Sequence, residues 1–281
     1  MIPLVRLKKD VQFNQELTQF IDVLKGIAAS RYHVLERRLK LFDRYFHEVG
    51  DVLALADLSR SGHPFVRPAS PVVGVVMVTS DGGFLGGLNT QVVNAGLQEA
   101  GPAGALTVLG ERGAGYLRDL RRGFTSFPGI DDTSRLALAL AVRDHIVSQV
   151  LQGACGRLVV VYPRPVSFAV QDVTAEVFVP CTAWTPPPRE ARELLWESPQ
   201  DAVIEYLVTQ WIGFRLDIIF ALSRLAELAA RVVHLEGSYQ ELQRRGKQLR
   251  LQYFRARHEV IDRSMREIFS AQLLYGKSGS D

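Results

Sequence analysis

The segment Ser80-Asp81-Gly82-Gly83-Phe84-Leu85-Gly86-Gly87-Leu88-Asn89 is the chain's best candidate for chemistry. A glycine-rich turn between a strand and a helix can aim backbone N–H groups and the positive end of a helix dipole at a phosphate, which makes a nucleotide-binding α/β protein one reading of the chain. Two features count against it. No Lys-Ser/Thr pair follows the last glycine, and the spacing is not G-x-G-x-x-G. The competing reading of Gly82 to Gly87 is a tight turn in which glycine permits unusual dihedrals and close backbone approach, with no phosphate ligand.

Little else has the residue types that chemistry needs. His33, His47, His63, His145, His234 and His258 fall singly, without metal-ligand spacing. Ser80 lacks the glycine-flanked elbow of a hydrolase nucleophile. Asp131 and Asp132 open a predicted helix and suit a cap better than a catalytic pair. Cys155 and Cys181 are too few and too far apart for a zinc site or a disulfide framework, so two reduced thiols are expected. No cofactor or metal is called for. Arg244, Arg245, Lys247, Arg250, Arg255 and Arg257, opposed only by Glu241, form a basic run that could be a solvated helix face or a contact with an acidic partner. A nucleic-acid adaptor using this run is a further alternative, but a net charge of +3 is too small to favour it.

The elements that would position these residues fall into three segments. With 281 residues, 47% apolar and 22% charged, the chain can bury a sizeable core in one or two domains. No apolar run reaches the roughly 18 residues of a membrane span. The first residues are charged and periodic, without a signal or transit pattern, which leads us to expect a bacterial cytoplasmic protein. Residues 4–56 lack proline, and Phe13, Leu17, Phe20, Leu24 and Ile27 alternate four and three apart, as a coiled-coil seam does. Beyond Arg31 the stripe resumes one position over at Leu35, Leu39, Phe42, Phe46, Val49 and Leu53. Residues 200–281 also lack proline and repeat the pattern at Leu222, Leu225, Ala229, Val232, Leu235, Tyr239, Leu242, Gly246, Leu249, Tyr253, Ala256 and Val260. A helix over most of that stretch would be on the order of 100 Å long at about 1.5 Å per residue.

Between the helical segments the texture changes. Residues 71–80 read as a β-branched strand, 88–98 as a helix, 105–120 as a second strand and helix, 131–152 as an amphipathic helix, and 157–162 and 173–179 as further strands. The expected fold class is therefore α/β: a long antiparallel coiled coil of N- and C-terminal helices with an inserted small α/β domain. Its boundaries are set at 1–58 for the N-terminal coiled-coil helix, 70–185 for the α/β domain and 198–276 for the C-terminal coiled-coil helix. Pro186 to Pro188 and Pro199 bracket the return into helix.

Several of these residues also carry a family likeness. The run from Thr79 to Asn89 resembles the gamma-subunit signature of F-type ATP synthases, roughly S-D-R-G-L-C-G-G-L-N, with Gly82 at the usual arginine and Leu85 at the usual cysteine. Gly26-Ile27-Ala28-Ala29-Ser30-Arg31 is similar to the family's M-V-A-A-S-K, and Ala226-Glu227-Leu228-Ala229-Ala230-Arg231 to its S-E-x-A-A-R-M. Residues 251–262 resemble L-x-Y-N-K-A-R-Q-x-x-I-T, and Glu267-Ile268 the closing E-I. These motifs occur in family order along nearly the whole chain.

The resemblance implies a central rotor shaft with no active site of its own. Such a shaft couples proton or sodium flow through the membrane sector to ATP synthesis or hydrolysis in the catalytic head. It implies as partners the alpha and beta subunits of that head, the epsilon subunit and the membrane c-ring. Membrane association would come only through those partners, at the cytoplasmic face of the bacterial plasma membrane. It also carries subunit contacts over to Arg255, Arg257, His258, Asp262, Ser264 and Glu267. Phe254, His258, Asp262 and Ser264 depart from the family's residues, as does Gly237-Ser238-Tyr239-Gln240-Glu241 in place of N-A-T-D-N, so a divergent member with altered contacts is expected.

Overall fold

The computed structural model describes residues 4–39, 53, 54, 58, 61–185 and 198–276. Packing divides the chain into two compact units, Met1–Ile27 with Leu235–Asp281, and Ala28–His234. Helix α1 (Leu4–Leu39) and the 77-residue helix α5 (Gln200–Gly276) each contribute to both units. The expected continuation of the first stripe through Phe42, Phe46 and Val49, and the proline cluster Pro186 to Pro188, lie outside the described residues.

The larger unit is built on a five-stranded sheet of order β3-β2-β1-β4-β5. In chain order its elements are β1 (Val73–Val78), α2 (Leu88–Ala100), β2 (Ala105–Leu109), α3 (Glu111–Asp119), β3 (Thr125–Phe127), α4 (Arg135–Leu151), β4 (Arg157–Pro165) and β5 (Gln171–Val179). Strands β3, β2, β1 and β4 run parallel, while β5 returns antiparallel to β4. A parallel central strand is covered on both faces, which is why β1 is a continuous apolar run rather than an alternation. Val75 and Met77 face a core with Val92, Val93 and Leu117 of α2 and α3. Val76 and Val78 face the other way, onto Val142 and Ile146 of α4 and Ile204, Val208, Ile212, Leu216 and Phe220 of α5. The strands and helices expected between residues 71 and 179 are thus present, with several ends shifted by two to four residues and with β3 as an additional strand. Strand β3 is three residues long, and its Thr125 and Ser126 are exposed, so it carries no apolar signal. Helix α4 begins at Arg135 rather than at Asp131. Cys155 and Cys181 are both buried free thiols. Near the end of α1, Tyr32 and Leu35 pack on Leu225, Leu228 and Ala229.

In the smaller unit α1 and α5 pair antiparallel. Lys25 bonds Glu236 at 3.0 Å and lies 4.3 Å from the centre of the Tyr239 ring, while Asn14 sits against Gly246. The seam of α5 is the expected one at Leu235, Tyr239, Leu242, Gly246, Leu249, Tyr253 and Ala256, all buried or half-buried; Val260, expected to continue it, is 48% exposed.

The seam of α1 corrects the expectation. Leu7, Asn14 and Ile21 are buried, with Val11, Thr18 and Lys25 half-buried between them, whereas Phe13, Phe20 and Ile27 are 65%, 57% and 49% exposed. Leu17 and Leu24 lie half-buried on the flank. Heptad spacing is the same for both stripes. They differ by one residue, or about 100° of helix rotation, and the partner selects the phase. A Cβ at position 246 would stand 2.6 Å from Asn14 Oδ1, so glycine there lets the asparagine amide sit close to α5 without shifting; Glu236 and Tyr239 hold the Lys25 ammonium.

Candidate functional site: the glycine turn and its clasp on the long helix

Strand β1 delivers the turn at its C-terminal end, where α/β sheets commonly bind ligands. Here the polar groups are used internally. Thr79 Oγ1 donates to Leu109 O (2.5 Å) and accepts from Gly113 N–H (3.0 Å). Ser80 N–H donates to Asn89 Oδ1 (3.2 Å), Asn89 Nδ2 donates to Ser80 Oγ (3.0 Å), and Ser80 Oγ–H donates to Gly82 O (2.9 Å). The serine hydroxyl therefore closes the turn and is not poised as a nucleophile. Asp81 Oδ1 accepts the Glu111 N–H at 2.8 Å, which places a carboxylate at the N-terminus of α3, where a phosphate would otherwise bind.

The left-handed backbone lies at Phe84 (φ 64°), Gly86 (φ 60°) and Gly87 (φ 93°). For phenylalanine this conformation costs on the order of 1 kcal/mol. It leaves the Phe84 ring 51% exposed while Leu85 and Leu88 turn inward onto Ala230 of α5. The Leu85 side chain thus anchors the turn to the long helix. Phe84 borders an open groove of about 420 Å³ with Gly86, Arg112, Tyr116 and His234 on its walls.

The turn is also gripped by charge. Glu227, 7% exposed, accepts from Arg231 Nη2 (2.6 Å) and from Arg224 Nη1 (2.7 Å). Arg231 Nε donates to Gly83 O at 3.3 Å, and Arg224 Nε lies 3.8 Å from Asp132 Oδ1. Arg224, Glu227 and Arg231 stand three and four apart on one face of α5, a spacing legible in the sequence; their hold on the turn is not legible there. Gly82 now has a specific reason. A Cβ there would be 2.6 Å from Arg231 Nη2. Because that contact is with the far end of a flexible side chain, Gly82→Ala is expected to loosen the Arg231 bond to Gly83 and cost about 1 kcal/mol, read as a lowered urea midpoint of the isolated chain. An unchanged midpoint would mean that the guanidinium shifts freely.

Asp131 does not cap α4 as expected. It accepts from the Thr133 hydroxyl and from Thr133 N–H (3.1 Å), bonds that hold its carboxyl below the usual range. Among the described residues no three His, Cys, Asp or Glu side chains gather to hold a metal. Arg255, Arg257, His258, Asp262, Ser264 and Glu267 all lie exposed on α5. Helical geometry puts Arg255, His258 and Asp262 on one face and Arg257 and Ser264 on another, and Ser264 Oγ–H donates to Val260 O at 3.1 Å. Arg255, Arg257, Asp262 and Glu267 make no ion pair with a described residue of the chain.

A two-helix antiparallel coil, a mixed α/β unit inserted between its helices and a signature turn packed onto the long helix define a coiled-coil protein with an α/β insertion. The comparisons with known proteins agree. The family model described as ATP synthase matches residues 4–272, and the chain belongs to that family as a gamma chain, a non-catalytic subunit. It is 24% identical to the ATP synthase gamma chain of Paraburkholderia phytofirmans, over 92% of this chain and 94% of that one. With the ATP synthase gamma chain of Chlorobaculum tepidum it shares 26% identity over 94% of each chain. Its fold is similar to a chain in the cryo-EM structure of Euglena gracilis mitochondrial ATP synthase, OSCP/F1/c-ring, rotational state 3, with a TM-score of 0.73 at 16% identity over 99% of this chain and 96% of that chain. A chain of the Tetrahymena thermophila mitochondrial ATP synthase central stalk/c-ring matches with a TM-score of 0.60 at 19% identity, over 78% of this chain and 99% of that one.

Proposed function

We propose that the chain is the central rotor shaft of an F-type ATP synthase, coupling ion flow through a membrane sector to ATP synthesis or hydrolysis in a catalytic head. The end of α5 supports this reading most. Every side chain from residue 257 to residue 270 is exposed, among them Val260, Ile261, Met265, Ile268 and Phe269 at 45% to 59%. Apolar and charged groups distributed around a helix in this way suit enclosure by other subunits better than water. The alpha and beta subunits of the head are the proposed enclosure, with the epsilon subunit and the c-ring as partners of the α/β unit. No helix among the described residues is long and apolar enough to cross a membrane. The proposed attachment is peripheral, through those partners, at the cytoplasmic face of a bacterial plasma membrane.

In such a head the shaft acts by differential contact. Each angular position favours one conformation of each surrounding site, and only that difference can drive a cycle. Arg255, Arg257, His258, Asp262, Ser264 and Glu267 supply the contacts in this proposal, the two arginines meeting acidic loops. Replacing Arg255 and Arg257 together by glutamine is expected to lower the ions pumped per ATP hydrolysed by about twofold, since each solvent-exposed pair contributes only a fraction of a kcal/mol to 1 kcal/mol. Reconstituted complexes would be assayed for turnover and transport together. If both stay unchanged in fully assembled complexes, the arginines are a solvated face.

A further inference from the structure

The stretch of α5 that crosses the sheet reads Trp211-Ile212-Gly213-Phe214-Arg215-Leu216-Asp217-Ile218-Ile219-Phe220-Ala221-Leu222. Apolar side chains occupy almost its whole circumference, so hydrophobic matching alone discriminates weakly between one rotation of the helix about its axis and another. Arg215 and Asp217 are the exceptions. They flank Leu216, which is fully buried against the sheet, and at about 100° per residue they emerge on opposite sides of the helix.

Each is held by a two-pronged bond. Arg215 donates from Nε and Nη2 to the two carboxylate oxygens of Glu176 on β5, at 2.6 and 2.8 Å. Asp217 accepts from Nε and Nη2 of Arg135 on α4, at 2.7 and 3.2 Å. Tyr162 of β4 braces the first pair by donating its hydroxyl to Glu176 at 3.0 Å. Burial, and then the Glu176 charge, push that hydroxyl's pKa up to about 12, so it remains a donor across the physiological range. The side chains of both pairs are 16% to 26% exposed, which leaves them less screened than surface pairs. The helix thus presents a cation on one flank and an anion on the other. Rolling it one way carries Arg215 toward Arg135; rolling it the other way carries Asp217 toward Glu176. Either motion replaces an attraction with a like-charge approach.

We propose that the Arg215–Glu176 and Asp217–Arg135 pairs are a roll lock that fixes the rotation of α5 about its own axis against the sheet, so that torque applied to the sheet passes into the helix without slip. The four residues are positioning residues. They touch no nucleotide and act by holding the rotation of α5 against the sheet within the larger unit. The proposal rests on the reading of the chain as a rotor shaft.

The test uses the assembled complex with the head immobilised and stalled, and a bead attached to the α/β unit of this chain. Angular fluctuations of the bead report torsional stiffness. Because each charge-assisted pair biases the locked position by about tenfold, Arg215→Ala combined with Asp217→Ala is expected to widen the angular variance at least about twofold. Exchanging the charges of one pair, Arg215→Glu with Glu176→Arg, should not restore the lock, since a carboxylate at position 215 together with Asp217 would leave both flanks negative and an inward roll would meet no like charge. Exchanging both pairs, with Asp217→Arg and Arg135→Asp added, should restore the wild-type variance. If the alanine pair does not fold, Asp217→Asn alone carries the same expectation at smaller amplitude. Unchanged variance in either variant would overturn the proposal, even with a lowered melting temperature, because a merely stabilising pair would move only the latter. Failure of the wild-type chain to assemble with head subunits would instead refute the rotor-shaft reading.

Discussion

Glu227→Ala is expected to lower the stability of the α/β unit by about 3 kcal/mol, because it strips the shared counter-charge from two arginines. Glu227 is 7% exposed and divides its oxygens between Arg231 and Arg224 at 2.6 and 2.7 Å. The remaining relief is small. Arg224 Nε is buried without a hydrogen-bond partner, and Asp132 stands 3.8 Å from it. With the carboxylate gone, two guanidinium groups would face each other in a site with little access to water. Their side chains keep 14% and 19% exposure, which puts the expected cost at the lower end for broken buried pairs, about 3 kcal/mol rather than about 5 kcal/mol. Glu227→Gln retains an acceptor for one arginine and should lose about half as much. Urea unfolding of the isolated chain, followed by the near-ultraviolet signal of the Trp184–Trp211 stack in the same unit, would measure both. Equal midpoints for wild type and alanine variant would show that the clasp is fully screened and adds nothing to the apolar anchoring of the turn on α5 by Leu85 and Leu88.

Neighbouring substitutions in α1 should differ even more. Ile21→Asp buries an unpaired charge in the coil and is expected to cost about 3 kcal/mol or more, whereas Phe20→Asp should change stability by less than about 0.5 kcal/mol. Ile21 is 6% exposed and Phe20 57%. The two positions are adjacent, equally apolar and equally far from the ends of the helix, so only the phase of the coil separates them. Helical circular dichroism against urea reads the result directly. Were Phe20→Asp the more damaging of the two, the phase would be that of the Phe13, Leu17, Phe20, Leu24 and Ile27 stripe instead.

How much could be read without tertiary contacts depended on whether a segment contained one pattern or two. Helix α5 has a single apolar stripe from Leu235 to Tyr253, and the seam follows it. Helix α1 has two stripes one residue apart, and the more apolar of them turns Phe13, Phe20 and Ile27 outward and keeps only Leu17 and Leu24 on the flank of the seam. The long strands β1, β2, β4 and β5 announce themselves through β-branched runs, while β3 exists because Gly110 N–H and the edge of β2 pair with it, a contact its own three residues do not encode. The glycine turn was legible as a turn, and its lack of a Walker lysine argued against phosphate. Nothing in its spacing indicated that Asp81 would cap α3, or that Arg231, from a distant part of the chain, would fill the space over Gly82.

The sequence by itself determined what the local backbone controls: the two long helices and their heptad spacing, the apolar strands of the sheet, and a glycine-rich turn after the first of them. It also carried the ordered motifs of the gamma-chain family. Only the tertiary structure decided the phase of α1, the partners of Arg135, Arg215, Arg224 and Arg231, and the conversion of a candidate phosphate cradle into a packed clasp. The physical reason is range. Periodicity follows from dihedral angles repeated over a few residues, whereas phase and charge pairing are chosen by surfaces from distant parts of the chain, whose shapes no local pattern contains.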